Sequence, residues 1–303
     1  MSNVIAEIGL NHGGELGTAR TLIKQASDAG CWGVKFQYRD ISSFYQKKDE
    51  VGDVMIYEEI KKNFVTIEAL SQLAKYSKKL KINFGLSFFR VIDVEKVDQL
   101  LPLIDFFKIP SAECLNVALL LKLQKSSKKI FVSTGAHETS EVIKHLYDYK
   151  EAITVLHCIS NYPTLLGTQD IASIANYKKN GFLNVGYSSH DSDWEVCLIA
   201  LAQGARWIER HITLSKETNG LDHSSSSVFE EFRKLVQFSK MFDSIVGKSN
   251  HVPNQGELIN LQNLGTSLYA KRNIKVGEKT SLEDYEVRAP RIGVSSGGFH
   301  NNF

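Results

Sequence analysis

The strongest constraint on this chain is an alternation. Eight short runs rich in β-branched and aromatic residues can be read off the sequence: Val4–Ile8, Gly33–Gln37, Ile82–Ser87, Asp105–Ile109, Lys129–Ser133, Ile153–His157, Leu183–Tyr187 and Arg206–Glu209. Longer stretches with apolar residues at helical spacing separate them. Among these are TARTLIKQASDAG, which stops at Gly30, NFVTIEALSQLAKYSKKL, and DSDWEVCLIALAQGA, which stops at Gly204. Eight strands, each followed by a helix or a long excursion, predict an α/β chain folded as a (β/α)8 TIM barrel. A doubly wound open sheet uses the same alternation and is the structural alternative.

The 303 residues, 43% of them hydrophobic, suffice for one large core or for a large domain with a small one. The pattern changes after Phe242. The expected organisation is a catalytic barrel over 1–246, a polar connector over 247–265 with room for one short helix, and a segment over 266–303. That last segment has strand-like pieces, a turn at Gly277, a capped turn at Ser281 and a Gly/Ser-rich tail.

A net charge of +2 argues against a dedicated nucleic-acid or membrane-surface protein. The opening MSNVIAEIGL lacks a basic n-region and a cleavage site, and no apolar run reaches membrane-spanning length, so a cytoplasmic protein is expected. Cys31, Cys114, Cys158 and Cys197 are far apart and have no metal-type spacing. They read as reduced, buried thiols, and Cys158 carries no sequence sign of a nucleophile.

A barrel of this kind carries its chemistry at the C-terminal ends of its strands. Those ends hold Glu7, then Lys35 and Gln37, Ser87, Lys108 and Ser111, Ser133 and Thr134, Ser160 and Tyr162, Ser188 and His190, and finally Glu209 and His211. His190 and His211 follow neighbouring strands. They would either reach one divalent metal or act as two independent histidines, and His12, His157 and His223 are further candidates. Lys35 and Lys108 suit a phosphate or carboxylate, a Schiff base, or a place on the barrel rim with the ammonium in water. With the hydroxyls they describe an anion site. No Walker loop or G-x-G-x-x-G is present, so a nucleotide cradle is not indicated. Glu7 and Glu113 are the nearest carboxylates for orienting a sugar hydroxyl or moving a proton. Glu113 reads equally as the acidic start of a helix. Residues 222–227 read as an exposed loop, with Asp222 the exception.

The stretches AEIGLNHGGELGTARTLIKQASDAGCWGVKFQ, FKIPSAE, VSTGA, LHCISNYPT, GYSSH and IERHITL…GLDHSSS stand in that order over residues 3–230. Together they resemble the sialic acid synthase family, which includes legionaminate and pseudaminate synthases. Residues 267–293 resemble the start of that family's antifreeze-like (SAF) domain, and a truncated SAF-like segment is expected over 266–303.

The resemblance implies a TIM barrel that condenses phosphoenolpyruvate with an N-acylated aldose, such as N-acetylmannosamine, to a nine-carbon 2-keto acid and phosphate. It implies Mn²⁺ or Mg²⁺ held by His190 and His211. Lys35 and Ser87 would meet the carboxylate of phosphoenolpyruvate, and Lys108, Ser111, Ser160 and Ser188 its phosphate, with Ser133 another hydroxyl of the anion site. Glu7, Gln37, Glu113, Tyr162 and Asp222 would surround the sugar and the reacting carbons. The water that adds at C2 needs a carboxylate to direct it, and Glu113 is the expected one. It also implies a homodimer in which each SAF segment reaches the partner's barrel.

The chain departs from the pattern at several points. Ser189 stands where the family usually has Asp, a place expected to support a metal histidine from behind. Ser160 stands where Asn is common, SFFR lacks the usual Thr-Pro, and RAPRIG offers Arg288 or Arg291 as the sugar-binding arginine. Two competing functions remain on the same fold: a Schiff-base pyruvate aldolase using Lys108, and a non-catalytic member that binds a sialic-acid-like ligand.

Overall fold

The computed structural model describes residues 2–44 and 53–297. It divides into two compact units, one ending at Val246 and one starting at Gly247.

In the first unit eight parallel strands close on themselves. They are β1 (Asn3–Glu7), β2 (Gly33–Tyr38), β3 (Asn83–Phe88), β4 (Phe106–Ile109), β5 (Lys129–Ser133), β6 (Ile153–Cys158), β7 (Val185–Ser189) and β8 (Trp207–His211). Closure is made by β8 against β1, with Asn3 opposite Trp207 and Glu7 opposite His211. That pairing removes the open-sheet alternative. The last two strands lie further along the chain than the sequence reading places them. Leu183 is 72% exposed and β7 starts at Val185, while β8 runs on to His211. Ser188, Ser189, Arg210 and His211 look like loop residues, yet all are buried.

Period two explains why. Trp207 packs in the barrel interior, and Glu209 and His211 follow it on the same face. Ile208 belongs to the outer core, between strands and helices, and Arg210 points the same way. The helix Leu16–Ala29 covers that outer layer with Ala19, Leu22, Ile23 and Ala26. It ends at Gly30, which takes a left-handed φ of 81° and donates its N–H to the carbonyls of Ala26 and Ser27. The helix Phe229–Val246 packs beside it through Phe232, Leu235 and Val236.

Inside, the N-terminal end of the barrel is plugged. Ile5, Phe106, Phe131, Leu156 and Trp207 form a separate apolar cluster capped by Trp32. The ring centroids of Trp207 lie 4.8 Å from those of both Trp32 and Phe131, edge to face. Gly85 makes room for this plug: a Cβ there would sit 2.2 Å from the Phe106 ring. The floor is therefore solid, and polar side chains collect only above it.

In the second unit Asn254 caps the helix Gln255–Leu264 through a capping box with Glu257. Strands β9 (Ser267–Ala270) and β10 (Tyr285–Arg288) pair antiparallel, and Ser281 caps the short turn Leu282–Asp284. Gly277 has a φ of 84°. Residues 298–303 of the expected SAF-like segment lie outside the described residues. Among the described residues no helix is long and apolar enough to cross a membrane.

Gly85→Ala forces Phe106 out of its rotamer in a filled floor. We expect a loss of about 2 kcal/mol in urea unfolding. The loss should shrink in a Phe106→Leu background; additive losses would show that the plug does not depend on this contact.

Candidate active site

One cleft opens at the C-terminal ends of the strands. Its walls are Glu7, Lys35, Gln37, Ser87, Lys108, Pro110, Ser111, Ser133, Tyr162, Ser188, His190, Glu209 and His211. Its empty volume of about 340 Å³ includes the open mouth, at the small end of the usual range for small-ligand sites.

Four buried charges form a chain across the cleft. Glu7 Oε2 lies 2.5 Å from Lys35 Nζ, and Lys35 Nζ donates to Ser87 Oγ at 2.9 Å. Glu209 takes both lysines, Oε1 at 2.5 Å from Lys108 Nζ and Oε2 at 3.9 Å from Lys35 Nζ. Ser188 Oγ donates to the same Glu209 Oε1 at 2.9 Å. Gln37 Nε2 donates to Glu7 Oε1 at 2.9 Å, and Arg39 donates to Gln37 Oε1. No residue of the four is more than 4% exposed. The Ser133 hydroxyl is buried beside them without a hydrogen-bond partner.

Burial works to lower the Lys35 pKa, but Glu209 and Glu7 outweigh it and the net direction is up. For Lys108 burial wins: its pKa falls below the ordinary lysine value despite Glu209, and Lys35 adds to the fall. Burial would raise Glu209, but Lys108 and Lys35, with the hydrogen bonds from Lys108 and Ser188, bring it down to about 2.

The two imidazoles meet on the other side. Their ring centroids are 5.6 Å apart, and Tyr162 packs on both, at 4.1 Å from His190 and 6.0 Å from His211. His190 Nδ1 lies 2.8 Å from the Ile159 carbonyl, which can only accept. Nδ1 therefore carries a proton, and in the neutral ring Nε2 is the lone-pair atom; burial acts to lower the His190 pKa, but Cys158, the Ile159 carbonyl and Glu209 outweigh it and the net direction is up. His211 Nδ1 is 3.4 Å from Asp222 Oδ2, an ion-pair distance without hydrogen-bond geometry. Burial pushes the His211 pKa down, with Asp222 opposing, which favours the neutral ring a metal needs. Among the described residues no group of three or more His, Cys, Asp or Glu side chains is set to hold a metal. The donor set fits an ion held by two imidazoles with water or substrate oxygens completing its sphere.

All four cysteines are buried and none is in a disulfide. Cys158 Sγ lies 3.7 Å from His190 Nδ1 and 3.4 Å from Ser111 Oγ. Burial acts to raise its pKa, but His190, Ser111 and Lys108 bring it to about 7. No sequence signal marks this thiol, because its partners come from other strands.

Most of the expected site residues converge, and four do not line the cleft: Thr134, which lines the neighbouring one, and Glu113, Ser160 and Asp222. Glu113 lies outside it, on a 3₁₀ turn, where its Oε2 accepts from Asn116 Nδ2 at 2.7 Å. Ser160 lines a neighbouring cleft with His137, His157 and Asn161. Asp222 stands behind His211 and accepts from the Leu10 N–H at 3.2 Å. Ser189 does not support His190 directly: it faces out of the barrel and bonds Arg210 and Asp191. Glu209 stands in the expected ring of strand-end residues but has no role assigned to it there, although it pairs with both lysines. Its signal is the alternation Trp207, Glu209, His211, which puts it on the inner face with His211.

Residues 22–251 match the NeuB family. The chain belongs to that family. This NeuB-family protein is 32% identical to the N,N'-diacetyllegionaminic acid synthase of Campylobacter jejuni, over 97% of the chain and 92% of the relative. It is 28% identical to human N-acetylneuraminate-9-phosphate synthase, over 92% of the chain and 80% of the relative. The crystal structure of the N-acetylneuraminic acid (sialic acid) synthetase of Leptospira borgpetersenii, in complex with citrate, aligns with a TM-score of 0.75 at 27% identity. That alignment covers 86% of the chain and 90% of the synthetase.

Glu209→Gln leaves Lys108 without its counter-ion, and we expect a loss of about 3 kcal/mol at pH 7 in urea unfolding. The folded pKa near 2 lies below the ordinary carboxylate value of about 4.3. The stabilisation is therefore complete above that ordinary value and fades as the pH falls through about 2. The gap between parent and variant should narrow on acidification to about pH 3; a constant gap would contradict the ion pair.

Proposed function

We propose that this NeuB-family chain condenses phosphoenolpyruvate with an N-acylated aldose, giving a nine-carbon 2-keto acid of the sialic acid type and phosphate. The observation that carries the reading is the cleft itself, where two buried ammoniums converge on one carboxylate beside two imidazoles. Phosphoenolpyruvate carries a carboxylate and a phosphate, and this arrangement complements both.

Lys35 and Ser87 hold the carboxylate. Lys108, Ser111, Ser133 and Ser188 hold the phosphate, and the orphaned Ser133 hydroxyl gains an acceptor. Ser160 lies beside this group in the structure and is left out of it. Mn²⁺ or Mg²⁺ would be held by Nε2 of His190 and of His211. When bound, the ion supplies Lewis-acid polarisation of the sugar aldehyde. Tyr162 walls the sugar side of the cleft. C3 of the enol phosphate forms the new bond to the aldehyde carbon, whose oxygen takes up a proton and becomes a hydroxyl; water adds at C2 with loss of a proton, and the C2–O bond to phosphate breaks as the 2-keto group forms. Glu7, held by Lys35 and Gln37, takes the water proton in place of Glu113, whose carboxylate is turned to Asn116. Asp222 holds His211. Lys108 acts as a charge partner of the phosphate.

We also read residues 266–303 as an SAF-like segment that reaches the partner's barrel in a cytoplasmic homodimer. Arg291 is the better candidate for its sugar contact. Its guanidinium has no ion pair among the described residues, whereas Arg288 lies 3.4 Å from Glu286 and over the Tyr269 ring.

The test is phosphate release from phosphoenolpyruvate with each candidate sugar and metal. No release in a folded, metal-loaded sample would sink the synthase reading, and a borohydride-trapped pyruvate adduct at Lys108 would replace it with the aldolase. Lys108→Met should raise KM for phosphoenolpyruvate about 30-fold, the loss of one charge-assisted contact. His211→Ala should abolish metal-dependent turnover while circular dichroism stays that of the folded barrel. Full activity with unchanged metal dependence in that variant would refute the two-histidine site.

A further inference from the structure

Arg210 stands between Glu209 and His211 in the chain but on the opposite face of β8, and its side chain is fully buried. Nε donates to Ser227 Oγ at 2.6 Å, Nη1 to Ser189 Oγ at 2.8 Å and Nη2 to the Ser192 carbonyl at 3.3 Å. None of these partners is charged, and a buried cation without a counter-ion is strongly unfavourable.

The counter-charge is one hydroxyl away. Ser189 Oγ donates to Asp191 Oδ2 at 2.8 Å. The same carboxylate accepts from Tyr187 Oη at 2.7 Å and from Gln169 Nε2 at 3.1 Å. Asp191 is only 1% exposed, so the pair is sealed from water on both sides.

This relay brackets both histidines. Ser189 and Asp191 flank His190 in the chain, and Thr164, which bridges to Asp191, donates its N–H to the His190 carbonyl at 2.9 Å. Arg210 precedes His211, and its partner Ser227 donates its N–H to the His211 carbonyl at 2.8 Å. The backbone of each histidine is thus tied from outside the barrel wall, while the rings face the cleft. We propose that Arg210 and Asp191, linked through Ser189, are positioning residues that fix the spacing of the two imidazoles across the β7–β8 seam. Only the metal and turnover readouts below rest on the synthase reading.

The test compares the parent with Asp191→Asn and with Ser189→Asp/Asp191→Asn. In the double variant a carboxylate at position 189 stands beside Arg210 and restores a direct ion pair. Hydrogen exchange is read first, on metal-free protein. The amides of Thr164 and Ser227 should exchange at least about tenfold faster in Asp191→Asn. The Ile5 and Ala6 amides in β1 should be unchanged, and the double variant should return to the parent rates. Mn²⁺ titration by calorimetry is read second. Affinity should fall about tenfold in Asp191→Asn and recover in the double variant. In turnover, kcat should fall with KM for phosphoenolpyruvate within about twofold, because the lysine side of the cleft is untouched. Unchanged exchange at both amides, or no rescue, overturns the relay. If Asp191→Asn does not fold, the double variant decides: a folded double variant with parent-like exchange supports the relay, and one that also fails to fold overturns it. A parent that binds no Mn²⁺ removes the metal reading alone, and the exchange result still decides the relay.

Discussion

A β-strand sends successive side chains to opposite faces, and in a closed barrel one face is the interior and the other the helix layer. β8 shows how much follows from that. Trp207 closes the floor, Glu209 binds both lysines, His211 reaches the cleft, and Arg210 is driven outward into the seam with β7. A shift of register by one residue would place a guanidinium among the lysines and put a carboxylate against apolar helices. The strand therefore cannot slip, and the chemistry of the site inherits its precision from that constraint.

The same geometry explains how so many charges are tolerated inside. Glu7, Lys35, Glu209 and Lys108 alternate in sign, so the buried set is neutral as a whole although each member is costly alone. The alternation also keeps the two ammoniums close together without a ligand. An incoming dianion meets charges already desolvated and oriented, and it competes with carboxylates that are held in place by Gln37 and Ser188. The attraction it finds is thus a difference between two paired states. That favours a ligand carrying two anionic groups over a monoanion.

Much of this was legible in the sequence. The strand–helix alternation left a barrel or a doubly wound open sheet, between which the β8–β1 pairing decides, and the ring of polar residues after the apolar runs marked the cleft. Two things were not legible. Strand ends that carry Ser188, Ser189, Arg210 and His211 look like loops, because polarity usually signals exposure; here the partners that satisfy them come from other strands. The other was direction. Glu113 and Ser160 lie in the expected segments, but the Glu113 carboxylate is turned to Asn116 on a 3₁₀ turn, and Ser160 lines the neighbouring cleft beside Ser111 and Cys158. Sequence order gives the loop on which a residue sits; only the backbone gives its aim.

The serine at position 189 joins these points. Placed next to His190, it reads as a support for a metal ligand, yet alternation along β7 turns it away from the cleft and toward Arg210. A position that the sequence presents as support for a histidine is therefore one that links a buried arginine to a carboxylate. The carboxylate stands at Asp191, reached through a hydroxyl, and also accepts from Tyr187 and Gln169. A hydroxyl accepts from the arginine and donates to the acid at once, so it passes the interaction on without adding a charge. The outer face of the seam then carries one cation and one anion, as the chain of charges across the cleft carries two of each, and the two histidines stand between them.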